Sequence, residues 1–103
     1  MELTQDDFLN GHKIVNDSIL MNEIDFENYI RESIRNFISS IDNMNNLQNR
    51  KKVQEFLSHI SNLYLNIMLN GNLYLLGKRE EELAKKGRMI IMEYLTNFIK
   101  EGV

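Results

Sequence analysis

Gly71, Gly77 and Lys78 in the segment NGNLYLLGKR have the residue types of a phosphate-binding loop. Such a loop needs four residues between its glycines, then Lys and a hydroxyl side chain for magnesium, all following a strand. Here five residues intervene, Arg79 stands in the hydroxyl position, and the residues before Gly71 have helical periodicity. That spacing excludes nucleotide binding of this kind.

Metal and nucleophile chemistry meet similar obstacles. The two histidines are His12 and His59, and Glu55 lies four residues before His59. Di-iron bundles place Glu and His three apart and do so in pairs, and no second pair exists here. The pattern predicts His12 as a hydrogen-bonded core residue on the apolar face of a first helix, and His59 as a surface residue. With no cysteine, disulfides, thiolate catalysis and sulfur-bound zinc are excluded. Ser18, Ser33, Ser39, Ser40, Ser58 and Ser61 all fall within helical patterns, without a glycine elbow to present a nucleophile. Asp6-Asp7 and Glu80-Glu81-Glu82 are consecutive, so their carboxylates fan around a helix instead of converging. The expectation is a non-enzymatic chain that needs no cofactor and no metal.

Two basic groups remain. Arg50-Lys51-Lys52 opens a helix, where positive charge opposes the dipole at a cost of about 0.5 kcal/mol. Acids of earlier helices or an outside anion must compensate. Lys78, Arg79, Lys85, Lys86 and Arg88 form the second group, but Glu81–Lys85 and Glu82–Lys86 have the four-residue spacing of a solvated helix surface. A net charge of −3 and a pI near 5.3 weigh against nucleic acid. Arg50, Lys51 and Lys52 nevertheless define the alternative, a dimeric nucleic-acid-associated regulator. Residues 1–46 hold three basic and nine acidic side chains, and residues 47–103 nine and six. This asymmetry predicts that one half of the fold complements the other.

The elements that must position these groups are helical. At 103 residues the chain has room for one domain. Thr4 before Gln5-Asp6-Asp7 is a helix start, and Phe8, His12, Val15 and Ile19 continue it to about residue 22. A second helix is predicted over 25–42, capped by Asp25 and striped by Phe26, Ile30, Ile34, Phe37 and Ile41. A third covers 47–69, with Val53, Phe56, Leu57, Ile60, Leu63, Tyr64, Ile67 and Met68 on its apolar face. A fourth covers 73–100. The predicted fold is an all-α bundle of four helices, with Gly71 closing the third through a positive φ. The alternative is α+β, with a hairpin over 63–76 turning at Asn70-Gly71.

The acidic N-terminus lacks the layout of a signal peptide, and the apolar run Leu63–Leu76 is too broken to span a bilayer. A soluble cytoplasmic protein is expected. The Asn- and Ile-rich composition fits an AT-rich bacterial or phage genome. No motif ties the chain to a family. What stands out is apolar surplus. Leu73, Tyr74, Leu75 and Leu76 are consecutive and cannot all face one core, and Lys78 and Arg79 would rim them. On the fourth helix Met89, Met92 and Ile99 widen the apolar face and predict an oligomer interface. The functional expectation is therefore a module that binds another protein: a small inhibitor, immunity factor or regulatory adaptor.

Overall fold

The computed structural model describes residues 3–41, 45–71 and 76–101, the last three without their side chains. Four helices follow in order: α1 (Gln5–Ser18), α2 (Glu23–Ser39), α3 (Leu47–Asn70) and α4 (Lys78–Glu101). No strand occurs among the described residues. Residues 63–70 belong to α3, which overturns the hairpin alternative.

Side-chain caps set the boundaries. Thr4 and Asp7 form a reciprocal capping box at α1, with each side chain accepting from the other's backbone N–H. Asn22, not Asp25, caps α2, accepting from the Asp25 N–H at 2.9 Å. Because Asn22 must be extended for that role, α1 cannot run to residue 22 and stops at Ser18. The Ser40 hydroxyl donates back to the Phe37 carbonyl at 2.6 Å, and α2 ends there, not at 42. Asn46 caps α3. Gly71 does sit at the end of α3, but in helical conformation (φ −54°, ψ −38°), so the expected positive φ is absent. The Leu76 N–H then returns to the Gly71 carbonyl at 3.0 Å, and α4 begins at Lys78, later than the predicted 73.

The helices alternate in direction around one core. Backbone proximity places α1 beside both α2 and α3, and α4 beside both α3 and α2. Sequential neighbours are antiparallel, while α1 runs parallel to α3 and α2 parallel to α4. Phe26, Ile30, Ile34 and Phe37 of α2 meet Val53, Phe56, Leu57, Ile60 and Tyr64 of α3 across the centre. Phe37 and Phe56 stack at 3.7 Å.

Two rings on α3 determine how closely its neighbours approach. Tyr64 lies flat on Gly87 of α4, where an added Cβ would be 2.8 Å from the ring. Its hydroxyl meets the buried Ser18 Oγ of α1 at 2.7 Å, and Ser18 gives its own hydrogen to the Val15 carbonyl. The phenol therefore donates to Ser18, and this buried polar pair is satisfied. His59 lies against Gly11 of α1, where an added Cβ would be 2.8 Å from Cδ2. The buried face of α1 is accordingly Gly11, Ile14, Val15 and Ser18, one step round from the predicted stripe. Phe8 and His12 are left exposed, so His12 is not a core residue.

Candidate functional site

Of the exposed large apolar side chains, three stand at one end of the bundle, with Phe8, Leu9 and Leu47 toward the opposite end and Met89 and Met92 along α4. Leu20, past the end of α1, is 77% exposed, Ile24 in the first turn of α2 is 77%, and Leu69 at the end of α3 is 70%. The alternating topology brings these three termini together with the start of α4. Arg79 confirms the closure: its guanidinium donates to the Ile19 and Met21 carbonyls. Leu83 of α4 is buried in the core.

Of the predicted partner residues, Leu76, Lys78 and Arg79 fall at this same end. Leu73, Tyr74 and Leu75 lie outside the described residues. Leu76 is half-buried and closes an apolar groove of about 430 Å³ between α1 and α3, whose walls include Val15, Ile19, Leu63 and Ile67. Lys78 is exposed. Its neighbour Arg79 is held by the α1–α2 corner.

The predicted oligomer face divides differently. Met89 is 66% exposed and Met92 44%, both on the outward side of α4, while the side chain of Ile99 lies outside the described residues. The Met92 sulfur also accepts from the buried Ser61 hydroxyl at 3.7 Å, which ties one edge of this face to α3.

Arg50, Lys51 and Lys52 do not make one positive surface. Consecutive residues step about 100° around a helix, and each side chain goes elsewhere. Arg50 lies over the Phe98 ring of α4 at 5.8 Å. Lys52 is half-buried and pairs with Asp7 of α1 at 3.4 Å, so an acid of the first helix supplies the compensation the sequence requires. Burial would raise the Asp7 carboxyl, but hydrogen bonds from Thr4 and the Lys52 charge outweigh it and hold the group below the ordinary range. Lys51 stays exposed.

One member of the second basic group turns to a neighbouring helix, while Lys78 and Lys85 stay exposed. Lys86 pairs with Glu23 and Glu27 of α2 at 3.3 and 3.7 Å, in preference to Glu82 on its own helix. Arg31 reaches Glu93 of α4 at 3.5 Å. The two halves of the chain thus exchange charges across helix seams, although such exposed pairs contribute under about 1 kcal/mol each.

His59 was expected at the surface, and there the sequence misleads. The ring is half-buried, its Nε2 is shielded from solvent, and that nitrogen has no hydrogen-bond partner. The available signal was Gly11: a glycine inside an amphipathic helix marks a close approach, here by the imidazole. His12 stacks edge-on against the same ring at 5.3 Å. Among the described residues, no three His, Asp or Glu side chains converge as a metal site would require, and no helix is long and apolar enough to cross a membrane. No family model, curated protein or solved structure matches the chain.

Proposed function

We propose that the chain is a non-enzymatic protein-binding module, acting as a small inhibitor, immunity factor or regulatory adaptor through a protein partner. The observation that carries this is the open end of the bundle. Leu20, Ile24 and Leu69 are each at least 70% exposed there, beside Lys78 and the half-buried Leu76. Apolar side chains gathered at one site with a charged neighbour have the make-up of an interface core and rim. Two polar groups at this end are committed to structure: Asn22 caps α2 and Arg79 holds the α1–α2 corner. The apolar contacts supply the affinity, and Lys78 supplies a charged rim.

The test is a double variant, Ile24→Asp with Leu69→Lys. Each new charge suits its helix terminus, acid at the start of α2 and base at the end of α3, so folding is spared. Wild-type protein should retain a discrete partner from host lysate that the variant loses, with helicity and Tm unchanged. Equal retention by both proteins would remove this surface from consideration.

A further inference from the structure

Three rings and a glycine meet on the α1–α3 seam, about a turn below the apolar groove. His59 rests against Gly11, with the rings of Phe8 and His12 edge-on to it at 4.9 and 5.3 Å. It bonds the Phe8 backbone, while Nε2 is buried and bare. A neutral imidazole fits this environment, with one nitrogen bearing the hydrogen and the other carrying none. Nε2 lies 3.3 Å from where a Gly11 Cβ would stand and has no hydrogen-bond partner, so a second hydrogen there would lack an acceptor and would place charge beside His12.

The titratable and charged groups that face this seam are Asp7 and His12 from α1, and Lys51, Lys52 and Glu55 from α3. Leu3, ahead of α1, is apolar. Asp7 is already taken by Lys52, and none of the described acids pairs with His59. Glu55, four residues before His59 on α3, lines the same pocket but forms no pair with the ring, so none of the described acids holds an imidazolium here.

We propose that this cluster is an acid-sensitive latch: α1 rests on α3 while His59 is neutral, and protonating His59 parts the N-terminal half of α1 from α3. Burial holds the His59 ring below its ordinary value, the bond to Phe8 opposes that, and the facing His12 adds to it. With the folded value below the unfolded one, the neutral ring's contribution is complete above about pH 6.5 and is lost as pH falls through the folded value. His12 also lines the groove that Leu76 closes, so opening the latch reshapes that groove.

Amide hydrogen exchange on the full chain at pH 7.5 and 5.5, corrected for intrinsic rates, tests the latch. Protection at residues 8–15 should fall several-fold at the lower pH, while the α3–α4 seam around Tyr64 and Gly87 holds. His59→Phe keeps a ring on Gly11 and should abolish the fall. Equal protection at both pH values, or the same fall in His59→Phe, would overturn the proposal. Ring-proton NMR of the wild type gives a readout that needs no variant. His59 must titrate below the ordinary histidine value, and titration at or above it would equally overturn the latch.

Discussion

Gly87 and Gly71 differ in what stands over them, and the difference predicts opposite outcomes for one substitution. Above Gly87 is the rigid Tyr64 ring, with its Cζ 2.8 Å from any added Cβ. Tyr64 is fully buried and tied to Ser18, so it has nowhere to move. Gly87→Ala gains about 1 kcal/mol of helix propensity but meets an overpacking cost of about 1–3 kcal/mol. We expect a lower Tm by differential scanning calorimetry, and a Tm at or above wild type would contradict the ring-on-glycine seat. Above Gly71 is the Glu81 side chain, whose carboxylate lies 2.8 Å from an added Cβ and can swing aside. Since Gly71 is already helical, Gly71→Ala should be neutral or stabilise by about 0.5 kcal/mol. Neither glycine could be ranked from sequence, because the distinction lies in a residue 10 to 23 positions away. For His59 the sequence held a partial signal, since Gly11 marks a close approach on α1 but not the residue that fills it.

At the scale of elements, sequence patterning carried far. The Thr4 cap, the apolar stripe of α2 and the unbroken period of α3 are all as their spacing predicts, since each rests on contacts within a turn or two. Boundaries went astray where two helices compete for one residue, as at Asn22, or where a serine bonds back to its own turn, as at Ser40. The corner joining α1 to α2 is held from outside by Arg79, 58 residues beyond Met21, and no local pattern announces such a clamp. Arg79→Met retains the stem and removes the donors. The guanidinium is exposed, so the loss should be about 1 kcal/mol, lowering Tm by roughly 4–8 °C. Amide exchange should quicken at residues 19–22 before it does so in α3. An unchanged Tm and unchanged exchange would show that the corner stands without Arg79.

For the whole molecule, helix count and class were legible, whereas the order of helices around the core was not. That order follows from α3 carrying rings on two sides, His59 toward Gly11 and Tyr64 toward Gly87, which seats α1 and α4 on either flank. It is also what gathers Leu20, Ile24 and Leu69 at a single end, a surface visible only once the topology is known. The sequence points to LYLL at 73–76 as too apolar for one buried face; of these residues the structure describes Leu76, which is half-buried. Met89 and Met92 form a separate outward face on α4, the one the sequence marks as an oligomer interface. Photo-crosslinking in host cells, with the reactive residue placed at position 24 in one protein and at position 89 in another, separates the two surfaces. The account predicts that position 24 captures a distinct protein. Capture of that protein from position 89 alone, or of nothing but the chain itself from position 24, would contradict it.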